Sequence, residues 1–235
     1  MLPAFKTVQK PDLQIESQVG YPNCMLAGVD EVGRGCIAGP VVAAAAVLPS
    51  HIDYVANPWL LDVTDSKKLT EAKREELYPL IQKWVPYFCI AQASVEEIDR
   101  INIFHASHLA MIRAMKGLKK KADIYLVDGK FLPLANEFKM RAVIKGDLKC
   151  LSIACASILA KVYRDQIFIE LDKKHPDFGF ASHKGYPTPL HKKILKDKKV
   201  PFDLYRKSFA PVKEALGLQS EINPNEQRQT ELFFS

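Results

Sequence analysis

The chain lacks any run approaching the roughly 20 consecutive apolar residues that span a bilayer. Its opening segment, MLPAFKTVQKPDLQIE, has no apolar block of the secretory kind. A soluble, cytoplasmic protein with no membrane segment is therefore expected. A CxxC pair is also missing. The five cysteines, Cys24, Cys36, Cys89, Cys150 and Cys155, are odd in number and scattered, which fits reduced thiols in a reducing compartment and assigns them no chemistry. Acidic residues are the minority charge: Lys and Arg number 33 against 27 Asp and Glu, for a net charge of +6. That balance tilts toward a polyanionic partner, although bulk charge alone does not name one. At 235 residues and 48% hydrophobic content, the chain suffices for one main domain with a proper core.

What is present centres on residues 25–48, MLAGVDEVGRGCIAGPVVAAAAVL, where Asp30 and Glu31 interrupt an apolar run. Such a run reads as buried strand, and two charges beside it carry a desolvation cost unless a cation meets them. Gly33-Arg34-Gly35 follows, so the backbone can turn tightly and approach a ligand while a guanidinium stands beside the acids. A site for metal and phosphate is one reading; a strand ending at a solvated turn is the other.

Residues 1–23, with Pro3, Pro11 and Pro22, read as a poorly structured arm. Val41 to Leu48 reads as a second strand joined to the first by a turn. Leu77, Leu80, Ile81 and Trp84 recur at helical spacing behind a Thr70 N-cap, predicting a helix from Glu71. Tyr87 to Ala93 reads as a third strand. Ser94 begins a helix-start pattern, and Ile103 to Leu118 continues at helical spacing. His105 and His108 lie three apart there; with no further ligand nearby they read as packing or surface groups rather than a metal pair.

Two further carboxylates fall at the ends of apolar segments. Asp128 terminates the strand Ile124 to Val127, though Asp128-Gly129 can equally be a plain turn. Asp147 lies between a short strand, Met140 to Ile144, and a long helical pattern in which Leu151, Cys155, Ile158, Leu159 and Val162 mark one buried stripe. If the strands carrying Asp30-Glu31, Asp128 and Asp147 are neighbours, four acids converge. Such a cluster repels itself and raises pKa values unless divalent cations neutralise it, and hard oxygen donors select Mg²⁺ or Mn²⁺. Paired ions of that kind suit phosphoryl displacement. Adjacent strand residues point to opposite faces, so Asp30 and Glu31 can share a site only where the strand is distorted or ends.

GVDEVGRG, DSKKL, VDGK, KGD followed by SIACASILAKVYRD, HKGYPT and RKSFAPV occur in that order over residues 26–213. Together they resemble bacterial ribonuclease HII, the type 2 ribonuclease H family. The sister family, ribonuclease HIII, fits less well, because Cys36-Ile37-Ala38-Gly39-Pro40 follows the GRG and no added N-terminal DNA-binding domain is seen. The resemblance implies an α/β, ribonuclease H-like fold: a mixed central sheet flanked by helices, with a helical C-terminal region. It implies a catalytic domain over residues 24–217, with the arm before it and a flexible tail, 218–235, after it. Implied partners are RNA·DNA hybrids and DNA duplexes containing single ribonucleotides, cut by a monomeric enzyme using two Mg²⁺ or Mn²⁺ ions. Asp30, Glu31, Asp128 and Asp147 would be catalytic and would hold the metal.

Telling RNA from DNA needs a group that senses a 2′-hydroxyl. The resemblance gives this role to Gly33, Arg34 and Gly35, and places Tyr186 on the sugar of the following deoxynucleotide. Ser66, Lys67 and Lys184 would hold phosphate. Lys192, Lys193, Lys196, Lys198 and Lys199 would track the backbone, although a basic run is also an ordinary solvated face. In the tail, Gln229, Leu232 and Phe233 resemble a Q-x-x-L-F peptide that docks on the replication sliding clamp; packing back on the body is the alternative. Two rival functions remain: a catalytically silent nucleic-acid binder, disfavoured by clustered acids near phosphates, and another two-metal nuclease such as a junction resolvase. The GRG turn and the Tyr186 block speak against the latter.

Overall fold

A computed structural model describes residues 10–197 and 200–218. Five strands form one mixed sheet: β1 (Leu26–Val32), β2 (Val41–Val47), β3 (Phe88–Ala93), β4 (Ile124–Asp128) and β5 (Met140–Val143). Their order is β3-β2-β1-β4-β5. β2 runs antiparallel to β1 and β3, while β1–β4 and β4–β5 are parallel. The helices are α1 (Gln14–Gln18), α2 (Glu71–Trp84), α3 (Val95–Lys116), α4 (Leu151–Lys174), α5 (Phe180–His183), α6 (Pro189–Asp197) and α7 (Ala210–Ala215).

The alternation of side chains along each strand divides the core in two. Leu26, Val42, Ala44, Ala46, Ile124 and Leu126 pack beneath α4 and α2. Ala27, Val29, Ala43, Ala45, Tyr125 and Val127 meet α3 on the opposite face. Alanine fills the middle of β2 and recurs on α3 at Ala106, Ala110 and Ala114, all fully buried. Small side chains on both surfaces let helix and sheet approach closely. Gly28 takes this furthest: a Cβ there would stand 2.1 Å from the Ser152 carbonyl carbon of α4. A third cluster joins Ile37 and Ala38 to Phe168, Phe180, Leu195, Tyr205 and Val212, so the helical C-terminal part rests against the loop between β1 and β2.

The expected helix start at Glu71 is present, with Thr70 Oγ1 accepting from Lys73 N at 3.2 Å. Ser94 and Glu97 close a reciprocal capping box at the head of α3. That helix absorbs both expected segments, broken only at Asn102, whose backbone leaves helical geometry (φ 63°, ψ 166°). Two expectations need correction. α4 is not buried along one stripe: every residue from Leu151 to Val162 is buried, because the sheet covers one side and α1 and α2 the other. A helix enclosed all round carries apolar and small residues on every face.

The arm is the second correction. Residues 10–23 are structured: α1 packs Leu13, Ile15 and Val19 on the core beneath α4, and Tyr21 is buried with its hydroxyl donating to Pro49 O. Cys150, the residue preceding α4, gives that helix no side-chain cap. Glu16 supplies one from α1 instead, its Oε1 accepting from Ser152 N at 3.0 Å and Ser152 Oγ at 2.9 Å. Burial raises the Glu16 carboxyl above its usual pKa, despite the Ser152 bonds. Residues 1–9 lie outside those described.

Candidate active site

The register of the central strands brings the acids together. Val29 pairs with Val127 across β1 and β4, so Asp30 and Asp128 are the next residues on two parallel neighbours and share the α4 face. β5 lies beside β4, and after it a 3₁₀ turn, Gly146–Leu148, delivers Asp147 to the same end. Asp128 Oδ1 accepts from Gly146 N at 2.6 Å, fastening that turn to the strand. Asp30 Oδ1 accepts from the Glu31 amide at 2.8 Å. Glu31 projects toward the α3 face at the strand end, as alternation demands, and lines a cleft there with Asp128. The four carboxylates therefore wrap around one end of the sheet.

Their titration reflects that crowding. Burial, then the charges of Glu31 and Asp128, push Asp30 well above the usual carboxylate range. Glu31 rises to about 7, chiefly through burial, with Arg34 opposing and Asp128 reinforcing. Burial also raises Asp128 and takes Asp147 to about 6, helped by Asp128 and Asp65. Burial would lower the Lys67 ammonium, but Asp30, Asp147, Asp65 and Asp128 together outweigh it and raise it. Lys67 thus faces the acids as a counter-charge. Asp65 lies close enough to bond Asp147, a fifth acid that its place in DSKKL did not single out.

This donor set fits hard divalent cations: all oxygen, negatively charged and short of compensating charge. Among the described residues no three His, Cys, Asp or Glu side chains form a ready-made metal cage. Mg²⁺ does not require one, since it keeps several waters and takes one or two carboxylates plus substrate phosphate.

Around the acids, two fully buried arginines hold the loops. Arg164 of α4 donates from Nε to Pro40 O (3.1 Å), from Nη1 to Lys184 O (2.9 Å) and from Nη2 to Ala38 O (3.3 Å). Arg206 donates to Gly39 O and to Arg34 O, both at 3.0 Å. Burial lowers Arg206 to about 9, still a cation at neutral pH. Between them they fix the backbone of the Gly33–Pro40 loop and join it to the Tyr186 loop. Gly33 (φ 95°) permits the turn, and its Cβ would stand 2.2 Å from Arg164 Nε. Around Gly35, by contrast, a Cβ would meet nothing within 4 Å. Packing therefore does not require a glycine there. The Arg34 side chain is half exposed and pairs with Glu31 at 3.3 Å.

Tyr186 is 37% exposed, with Lys161 Nζ 5.9 Å from its ring centroid. Its carbonyl bonds His191 Nδ1 at 2.8 Å, and His191 Nε2 meets the Tyr205 hydroxyl at 2.9 Å. His183 stacks on His191 at 3.5 Å, nearly parallel. Ser66 turns its hydroxyl inward to Ser157 Oγ at 3.0 Å, and Ser157 in turn bonds Asp30. Its side chain therefore braces the acid site rather than standing in solvent. Arg74 holds this loop by donating to Ser66 O and Leu69 O. The Lys184 ammonium pairs with Glu71 at 3.2 Å. Lys192, Lys193 and Lys196 line an open cleft of about 550 Å³ between α6 and α7; Lys198 and Lys199 fall outside the described residues, as do Gln229, Leu232 and Phe233. His108 packs on Phe104 with ring centroids 4.3 Å apart and the planes tilted by 56°, in keeping with a packing role.

The profile of the ribonuclease HII family matches residues 27–212, which hold the acid site and all of the sheet but Leu26. The chain belongs to the ribonuclease HII family. It is a ribonuclease H, an endonuclease of the hydrolase class, and its sheet and helices have the ribonuclease H-like fold. A ribonuclease HII of Myxococcus xanthus is 49% identical over 209 residues, 88% of this chain and 68% of the relative. The ribonuclease H2 crystal structure from Pyrococcus horikoshii superposes with a TM-score of 0.67 at 28% identity, over 81% of this chain and 96% of that one. A ribonuclease HII solved in complex with PCNA, from Archaeoglobus fulgidus, matches at 0.62 and 29%, over 86% and 99%. Among the described residues no helix is long and apolar enough to cross a membrane.

Proposed function

We propose that this ribonuclease HII hydrolyses the RNA strand of RNA·DNA hybrids and cuts on the 5′ side of single ribonucleotides in duplex DNA. Water attacks the scissile phosphorus, the bond to the 3′-oxygen breaks, and 3′-hydroxyl and 5′-phosphate ends remain. Ribonucleotide excision and RNA primer removal in the cytoplasm are the processes such cutting serves. The observation that carries the reading is the pairing of four crowded carboxylates with an arginine-clamped GRG turn whose Gly35 side is open.

Asp30, Glu31, Asp128 and Asp147 would hold two Mg²⁺ or Mn²⁺ ions. Bound there, the cations supply Lewis-acid polarisation of the phosphate and lower the pKa of the attacking water. Lys67 and the backbone of its loop steady the incoming phosphate in the interim. The Gly33–Gly35 backbone reads the 2′-hydroxyl at close range, the only sugar difference between RNA and DNA. Tyr186, supported from behind by His191, packs on the neighbouring deoxyribose. The enzyme acts as a monomer.

The test is an end-labelled DNA duplex with one ribonucleotide, incubated with Mg²⁺ or Mn²⁺ beside an all-DNA duplex and an Asp30→Asn protein. A cut 5′ to the ribonucleotide, absent from both controls, is expected. Binding without cutting would instead mark a silent binder, and cutting of the all-DNA duplex a junction-type nuclease. The tail peptide at Gln229, Leu232 and Phe233 is proposed to dock on the sliding clamp, a reading supported by the archaeal relative solved with PCNA. Pull-down with purified bacterial clamp should lose signal on truncation after Arg228; equal capture of both forms would overturn it.

A further inference from the structure

On the α3 side of the acids lies a cleft of about 40 Å³, lined by Glu31 and Asp128 and also by Arg34, Phe104, Lys130 and Phe131. The Phe104 and Phe131 rings meet edge to face at 5.9 Å. Phe131 remains 43% exposed, and Lys130 Nζ lies 5.5 Å from its ring centroid. A partly exposed ring thus lies beside the Lys130 ammonium in a cleft that Arg34 also lines, just after the Asp128-Gly129 turn.

Two observations say what covers it. The cleft is continuous with the acid site, because Glu31 and Asp128 form one of its walls. Its charge pattern, a guanidinium, an apolar ring and an ammonium, matches the alternation of phosphate and sugar along a nucleic-acid strand. The cleft itself is too small to enclose a base. Position completes the argument. Tyr186 lies against Lys161 of α4, whereas this cleft lies against α3, so the two aromatic groups flank the acid-bearing end of the sheet from opposite faces.

We propose that Phe131 and Lys130 form a second strand shelf, with the Phe131 ring on a sugar and the Lys130 ammonium on the adjoining phosphate, on the far side of the scissile phosphate from Tyr186. This rests on the proposed action on duplexes that contain ribonucleotides. The contact does not involve the 2′-hydroxyl, so it adds affinity equally for ribose and deoxyribose.

The experiment compares the full-length parent with Phe131→Ala, Phe131→Tyr and Lys130→Ala in steady-state cleavage and in equilibrium binding with Ca²⁺, using a labelled duplex with one ribonucleotide and its all-DNA counterpart. Phe131→Ala should raise KM and Kd about five- to tenfold with kcat within about twofold, by the same factor on both duplexes in binding. Phe131→Tyr, which keeps the ring, should restore parent values. Lys130→Ala should flatten the salt dependence of binding by about one unit of log–log slope. Trimming the duplex one nucleotide at a time should abolish the Phe131→Ala penalty from one end and a Tyr186→Ala penalty from the other. Unchanged KM in Phe131→Ala, or a penalty insensitive to trimming from either end, would overturn the shelf while leaving the proposed function standing. A parent that neither binds nor cuts the ribonucleotide duplex would overturn that function, and the shelf's occupant with it.

Discussion

Replacing Gly28 by alanine forces the strand that carries Asp30 away from the helix that follows Asp147. The new Cβ would lie 2.1 Å from the Ser152 carbonyl carbon and 2.3 Å from both Ile153 N and Ser152 O. These are all backbone atoms, so no rotamer change relieves the clash. Ordinary contact begins near 3.4 Å, so α4 must retreat by the difference, about 1.3 Å. That helix carries Ser157, which bonds Asp30, and Asp147 lies just before it. Overpacking of this kind costs about 1–3 kcal/mol. At roughly 2–4 °C per kcal/mol for a chain of this size, Tm should fall by about 2–12 °C. A displacement of about 1 Å among reacting groups costs on the order of 100-fold in rate. The assay pairs a circular-dichroism melt with steady-state cleavage of the one-ribonucleotide duplex, and kcat should fall more than KM changes. A variant melting within about 2 °C of the parent and cutting within about threefold would refute the claim that this close approach sets the acid geometry.

Gly35→Ala should leave Tm within about 1 °C, since its Cβ meets nothing, yet weaken selection of the ribonucleotide duplex at least tenfold; a variant with full selectivity would remove the turn from recognition. Glu16→Ala strands two buried donors on Ser152 and should cost about 2–4 kcal/mol in denaturant unfolding. Glu16→Gln keeps the acceptor and does not titrate. Because the folded carboxyl titrates above its usual value, its contribution is full below the unfolded pKa and is lost as pH rises through the folded one. Glu16→Gln should therefore gain on the parent as pH rises from 4.5, and a flat difference would contradict the neutral cap. With Glu31 near 7 and Asp147 near 6 without metal, Mn²⁺ affinity by titration calorimetry should fall as pH drops through that range, with proton release on binding; pH-independent affinity would count against these ligands.

Local chemistry was legible in the sequence where one residue governs one event. Thr70 and Ser94 announce their helices because a hydroxyl at an N-cap satisfies amides three residues ahead. The acids at strand ends stood out because charge beside an apolar run needs an explanation. Their convergence did not follow until strand order was known, since pairing β1 with β4 joins segments about 100 residues apart. Nothing local sets Arg164 and Arg206 apart in the sequence, because their partners are backbone carbonyls in distant loops and carry no side-chain signature. Glu16 was hidden in the same way: nothing in LQIESQ says that its acid faces inward. The all-round burial of α4 did leave a signal, in the unbroken small and apolar run from Ser152 to Ala160.

The bond from Arg206 to the Arg34 carbonyl spans 172 residues, which bears on when the enzyme can exist during its own synthesis. On the ribosome all four acids emerge well before residue 206, and the sheet that carries them can close at that stage. The GRG turn has no Arg206 anchor until the RKSF segment leaves the exit tunnel. A nascent chain stopped short of that segment would carry the four acids without an anchored GRG turn, so the element proposed to choose the target is the last to be fixed.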